Sequence, residues 1–524
     1  MDLEAIHVGI LSIVPPLVAI SLALITKEVV FSLVLGIISG TLIYSIAGGL
    51  GFSAIFSVAS EMMVTKVADN VTLVLFPAML GALVAVITRA GGSRAYGQWA
   101  AQRLKSAKGA SLATVLLGIV IFVDDYFNCL TVGTVMRPIT DRYKISREKL
   151  AYLIDATAAP VCIIAPVSSW AASVISYYPA QAGMTGMQAF LASIPMNLYA
   201  LLTLFMIIWL CLNPKGEYGP MAKAQTRAAG GQVEPGGSEE ITDELATMKI
   251  SEKGLVLDLV LPVLFLVIIS IVAMLFYGGF GSIEGSLGER FFEAFGETDA
   301  GLALTLGGFT SLFVAFFMYV PRKLMSFTEF FSAVTAGFKT MVPALVILTL
   351  AWTISGVCRD LLSTGPYVAS LVDQSSFPVI LIPAIMFAIA AGLSFATGTS
   401  WGTFGILIPI VIAVCEIVAP WLSITSLSAV LAGSVFGDHC SPISDTTILS
   451  STGAKCRHID HVATQIPYAL TVAGVCFIGY IVAGLTSGLG YAVSVGITLP
   501  VSLALLIVVL IVMPKFFGNK AKTA

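Results

Sequence analysis

The chain has 524 residues, 57% of them hydrophobic and only 11% charged, with a formal net charge of −3. A soluble domain carries about 25% charged residues, so the mean hydropathy of +0.96 points to a bilayer rather than to water. No basic block directs the chain to nucleic acid, no long polar segment offers a second core, and the eight scattered cysteines, without a CxxC pair, read as small apolar helix residues.

A membrane span needs about 20 mostly apolar residues. The opening Met1-Asp2-Leu3-Glu4 lacks the basic start of a cleaved signal, so the first apolar run is expected to remain as a span. In chain order the spans fall at roughly 7–26, 28–48, 70–89, 148–178, 189–212, 254–278, 300–320, 341–357, 426–451, 463–486 and 491–513, eleven in all. Segments 51–66 and 326–340 precede corresponding spans and read as interfacial helices. Stretches 110–140 and 377–412 are too long for one span. Their centres are polar: Asp124-Asp125-Tyr126-Phe127-Asn128 in one, residues 394–403 in the other. Both read as re-entrant hairpins, since non-helical backbone at membrane depth is tolerated only inside protein or beside water.

Basic residues set the expected orientation. Arg89, Arg94, Arg103, Lys105 and Lys108 precede the first hairpin, and Arg137, Arg142, Lys144, Arg147 and Lys149 follow it. Both groups belong in the cytoplasm, which a hairpin allows and a single crossing does not. The acidic segment 279–299 and the uncharged segment 179–188 belong outside. The N-terminus is then out and the C-terminus in, across a bacterial inner membrane. Stretch 213–253, with Gly-Gly pairs and mixed charge, reads as a cytoplasmic linker, and His458 and His461 as solvated loop residues.

The two halves look alike. Pro77-Ala78 opens a span followed by a hairpin, and so does Pro343-Ala344. Pro160 precedes Ser168-Ser169 by the spacing that separates Pro442 from Ser450-Ser451. Each half holds five spans and one hairpin, and five is odd, so the second half should be inverted relative to the first. The expectation is an all-α polytopic membrane protein: first repeat 1–212, linker 213–253, inverted second repeat 254–486, and an extra C-terminal span and tail at 487–524.

The strongest local signal is the run Gly437-Asp438-His439-Cys440-Ser441-Pro442-Ile443-Ser444-Asp445-Thr446-Thr447, inside an apolar span. A glycine, a proline and two carboxylates there should unwind the helix. Freed carbonyls, hydroxyls and carboxylates are hard oxygen ligands that suit sodium. Charges in a span are costly, so Asp438, Ser441, Ser444, Asp445 and Thr446 are candidate sodium ligands. Asp124 and Asn128 at the first hairpin tip join them, as a second site in the other repeat. Asp125, Asp155 and His439 are candidates for proton transfer, His439 either as a relay or as a group that orients Asp438. The second tip comprises Thr397, Gly398, Thr399, Ser400, Gly402 and Thr403.

The run 437–451, with Ser400-Trp401-Gly402-Thr403 and the DDY and MRPITD elements of 123–160, resembles the NhaC family of sodium/proton antiporters. The resemblance covers most of the chain. It implies paired re-entrant hairpins, broken helices and cation-coupled transport by alternating access, with sodium and protons as the moving ions and no cofactor. The alternative is a sodium- or proton-coupled carrier of a small organic acid or amino acid. A small organic solute and a homodimer stay open as partners. A channel would not need two broken-helix sets in one chain. An enzyme is not expected, because Asp438, His439 and Ser441 are near neighbours on one helix and cannot converge as a triad.

Overall fold

Long apolar runs with no competing polar face leave the backbone to satisfy itself as helix. The computed structural model describes residues 4–26, 28–179, 184–233, 250–364, 366, 367, 370, 378–442 and 444–518, and among them every regular element is helical. Seven described helices are long and apolar enough to cross a bilayer, or up to nine if each of two bent pairs forms one span. Eleven spans were expected. The difference has a physical cause, because several apolar runs are interrupted. Run 148–178 divides into Arg147–Asp155, a turn at Ala159–Cys162, and Ser169–Tyr177. Run 426–451 divides into Ser423–Cys440 and Asp445–Ala454. Run 189–212 bends by 46° between Gly186–Met196 and Leu198–Leu212.

Segment 326–340 is not a separate interfacial helix. It runs without a break into the following span as the helix Phe327–Gly356, opened by a reciprocal cap between Ser326 and Glu329. Segment 51–66 does form its own helix, Ala54–Asp69, set at 63° to the span that follows.

Both stretches are pairs of helices around a short polar turn, and Ser400–Val418, the second helix of the second pair, is one of the seven long enough to cross. The first joins Ala107–Val120 to Asp125–Arg142 through residues 121–124. The second joins Ile382–Thr397 to Ser400–Val418 through Gly398 and Thr399. Gly398 has φ +69°, a left-handed conformation that suits a residue without Cβ. Gly402 and Thr403 lie in the return helix rather than in the turn.

The first hairpin also packs across the chain. A Cβ on Gly133 would lie 2.6 Å from Cα of Gly453, so the return arm and the helix Asp445–Ala454 touch backbone to backbone. The second hairpin meets Ser169–Tyr177 through aromatic rings: Trp170 sits 5.7 Å from Trp401 and 5.6 Å from Phe404, centroid to centroid. Each hairpin's return arm therefore rests on the interrupted helix of the other half.

The basic segment after the first hairpin folds into the body of the protein. Arg147, Glu148 and Lys149 are buried. Arg147 pairs with Asp141 at 3.0 Å, Glu148 with Arg227, and Lys149 with Glu217, which also accepts from Tyr468. The start of the expected linker thus folds as the helix Gly219–Ala229 and is clamped to the body; residues 234–249 lie outside the described residues.

Candidate cation-binding site

The two hairpin tips and the two helix breaks meet in the interior. At the first tip Asp124 and Asp125 are buried to 1% and 0% exposure. Ser169 Oγ donates to Asp124 Oδ2 at 3.1 Å, and Ser169 N donates to the Val123 carbonyl at 3.0 Å. The tip is thereby docked on the first residue of Ser169–Tyr177. Neither oxygen of Asp125 accepts a hydrogen bond; the Trp170 indole N–H approaches without completing one. The charges that Asp125 feels are those of Asp124 and Asp438.

Asp438 belongs to the other half. It lies near the end of Ser423–Cys440, and its Oδ2 accepts from Ser400 Oγ at 3.0 Å and Ser400 N at 3.3 Å. Ser400 opens the return helix of the second hairpin, so its N–H is one of the donors a helix start leaves without an intrahelical partner. Ser400 Oγ also donates to the Ser434 carbonyl at 3.0 Å. Thr399 accepts from Trp401 N at 3.3 Å and caps the same helix. Asp438 is thus within electrostatic reach of Asp125, so the buried carboxylates of Asp124, Asp125 and Asp438 approach one another from two halves of the chain.

Asp155 forms a second centre. Its Oδ2 accepts from Gln465 Nε2 at 2.7 Å, Thr447 Oγ1 at 3.2 Å and His461 Nε2 at 3.3 Å, while Oδ1 has no partner. Gln465 Nε2 also donates to the His439 carbonyl and so joins both interrupted helices. The expected grouping of one site per repeat is not what the side chains do. Asp155 of the first half bonds Thr447 of the second, and Asp438 of the second half is within electrostatic reach of Asp125 of the first.

The break after Cys440 is held open by specific bonds. Ser441 is extended, and its Oγ donates to the Phe395 carbonyl at 2.7 Å. Ser444 caps the next helix through Thr447 N at 3.4 Å and lies 3.0 Å from Thr446 Oγ1. His458 Nε2–H donates to the freed Pro442 carbonyl at 2.6 Å, and its Nδ1 faces Ser451 Oγ at 3.2 Å. Asp445 opens the helix Asp445–Ala454, but its side chain, like that of Thr397, lies outside the described residues.

Two further expectations change in kind. His439 does not orient Asp438: its Nδ1 is 2.7 Å from Tyr199 OH, its ring stacks on Tyr152, and its Nε2 has no partner. Asn128 is primarily a clamp. Its Nδ2 reaches the carbonyls of Gly118 (2.7 Å), Thr157 (2.9 Å) and Ile121 (3.1 Å), which leaves only the buried Oδ1 free to accept. The matched Pro–Ser spacings also differ in role. Ser168 caps its helix, whereas Ser450 and Ser451 lie inside theirs.

His461 and Gln465 were missed. Both are fully buried on the helix His458–Thr486, which takes in His461 as well as the expected span 463–486. Their spacing of four residues puts them on one helix face, a pattern that the neighbouring cytoplasmic charges obscured. Gln465→Leu should leave Asp155 with weaker support and the His439 carbonyl without its donor. Each orphaned buried group costs about 1–3 kcal/mol, so the thermal midpoint in detergent should fall; an unchanged midpoint would refute the cross-link.

The oxygens gathered here are carboxylate, hydroxyl and carbonyl, the donor set of a hard cation. Among the described residues no three His, Cys, Asp or Glu side chains are placed to hold a metal as a group. The profile of the Na+/H+ antiporter family matches residues 161–485, which hold Ser169–Tyr177, the second hairpin and the break around Asp438, but not the first hairpin tip or Asp155. The chain belongs to the Na+/H+ antiporter family. An uncharacterised Haemophilus influenzae protein is 41% identical to this antiporter-family chain over 505 residues, 94% of each. The malate-2H(+)/Na(+)-lactate antiporter of Bacillus subtilis is 30% identical over 193 residues, 36% of this chain and 39% of that one. The YdaH transporter of Alcanivorax borkumensis superimposes with a TM-score of 0.50 at 14% identity, over 82% of this chain and 88% of that one, a likeness of fold alone. Family and apolar helices together make the chain an integral membrane transport protein of antiporter type.

Proposed function

We propose that the chain exchanges sodium for protons at the Asp124–Asp125–Asp438 cluster, by alternating access between two inverted repeats, 1–212 and 254–486. The observation that carries this reading is Asp125: wholly buried, without a hydrogen bond, and facing two further carboxylates. Desolvating an anion costs several kcal/mol, and like charges side by side raise the cost. Such a cluster needs either a cation or protons, and alternation between them is antiport. Asp155 with His461 and Gln465 carries protons to and from it. A sodium pulse given to sealed proteoliposomes, with no organic solute present, should drive protons the opposite way. No proton movement without an added organic or amino acid would instead favour a coupled carrier, the reading in line with the name of the Bacillus subtilis relative.

The proposed topology places the N-terminus outside and the C-terminus inside. The eight cysteines are all buried, so the thiol background is low. Glu284→Cys should react with an impermeant thiol reagent from outside and Lys215→Cys should not; the reverse pattern would invert the orientation.

A further inference from the structure

A cavity of about 700 Å³ is lined by none of Asp124, Asp125 and Asp438 and is bounded by residues 66, 69, 70, 184–186, 188 and 297. Small-molecule sites occupy roughly 300–1,000 Å³, whereas a sodium ion needs far less. The lining carries both signs of charge: Lys66 and Arg359 against Asp69 and Glu297. Asp360 accepts from Lys66 and from Arg359, each at 2.8 Å, and so holds two cations side by side around one carboxylate. That corner keeps attraction for a further carboxylate. Glu297, which accepts from Gln188, and the mostly exposed Asp69, which is loosely paired with Lys66 at 3.9 Å, offer acceptors for an ammonium group.

Arg359 is placed by an unusual backbone. The helix Phe327–Gly356 ends in a π-helical turn, Val357–Leu361, a geometry that is rare and recurs at functional sites. One turn earlier Trp352 forms an aromatic wall, fixed by its indole N–H to Ser176 Oγ at 2.9 Å. Ile175 and Met184 extend the apolar part. Ser176 lies on Ser169–Tyr177, whose first residue bonds Asp124. A ligand in the cavity and a cation at the cluster therefore bear on the same short helix.

We propose that this cavity binds an L-α-amino acid with an apolar side chain. Arg359 and Lys66 take its carboxylate, Asp69 and Glu297 its ammonium, and Trp352 its side chain. A dianion would confront Asp69 and Glu297, and a dication would confront Arg359 and Lys66. The inference does not rest on sodium–proton exchange, and a vesicle with intact exchange but no amino-acid binding would separate the two.

The test is equilibrium binding of radiolabelled L-methionine and L-phenylalanine to the purified full chain, with L-malate and agmatine as competitors. Saturable binding of at least one amino acid is expected, with neither competitor displacing it as well as the unlabelled amino acid does. Losing a charge-assisted hydrogen bond weakens binding about tenfold or more, so Arg359→Gln should raise the Kd by that factor while Arg359→Lys recovers part of it. Trp352→Phe, which keeps a ring and loses the bond to Ser176, gives a second variant if the first fails to fold. Absence of saturable binding, stronger binding of malate or agmatine, or wild-type affinity in Arg359→Gln would each overturn the proposal.

Discussion

Asp125→Asn is expected to reduce sodium-driven proton flux to the level of empty vesicles while the protein still folds and reaches the membrane. The side chain makes no hydrogen bond that the amide would lose, and the substitution removes a charge from a crowded acidic pocket. Stability should therefore hold or rise, because one fewer buried anion must be compensated. Function should not survive, since the amide neither takes up a proton nor balances sodium. Asp125→Glu keeps the charge on a longer arm and should retain part of the flux with altered sodium affinity. Full flux in Asp125→Asn would remove the residue from the exchange cycle. Asp438→Asn should behave differently. Its Oδ2 anchors Ser400 at the second tip, so that variant should lose flux and thermal stability together.

The second large effect is expected at Gly437, one residue before Asp438. A Cβ there would lie 2.3 Å from the Ala391 carbonyl oxygen and 2.7 Å from Phe395 N, both rigid backbone atoms. The leading arm of the second hairpin therefore packs directly on the helix that carries Asp438. Overpacking of this kind costs about 1–3 kcal/mol where side chains can yield, and backbone yields less. Gly437→Ala should lower the thermal midpoint and abolish transport by moving Ser400 away from Asp438. Gly474→Ala is the control: it lies inside the helix His458–Thr486 with nothing within 4 Å of the added Cβ. There alanine should be neutral or stabilise by about 1 kcal/mol. Equal losses in both variants would mean that the Gly437 contact is not special.

Much of this architecture was legible in the sequence because membrane physics is restrictive. A run too long for one span with a polar centre should break into two helices, and a short turn between two helices is found where Asp124-Asp125 and Gly398-Thr399 interrupt apolar stretches. The break after Cys440 follows from Pro442 and the polar residues around it. What the sequence hid was partnership across the chain. The bond from Thr447 to Asp155 joins residues 292 apart, and that from His461 joins residues 306 apart. No local pattern encodes such pairs. Burial was misjudged for the same reason. His461 stands in a charged stretch that reads as a solvated loop, yet it has a dedicated buried partner in Asp155, as Lys149 of the cytoplasmic basic group has in Glu217. Span counting failed where helices were short: Arg147–Asp155 and Ser169–Tyr177 are each too brief to cross alone, and only their separation exposes the backbone that the site uses.

The central claim is that sodium and protons compete for one buried carboxylate cluster. The most direct measurement is binding of radiolabelled sodium to the purified protein across a pH series, with no membrane and no gradient. If one sodium displaces one proton, the apparent Kd should rise about tenfold for each unit of pH below the carboxylate's own titration, and flatten above it. Asp125→Asn should abolish this slope together with the binding. A sodium affinity that stays constant across the whole pH series would contradict exchange at this cluster, whatever flux the vesicles show.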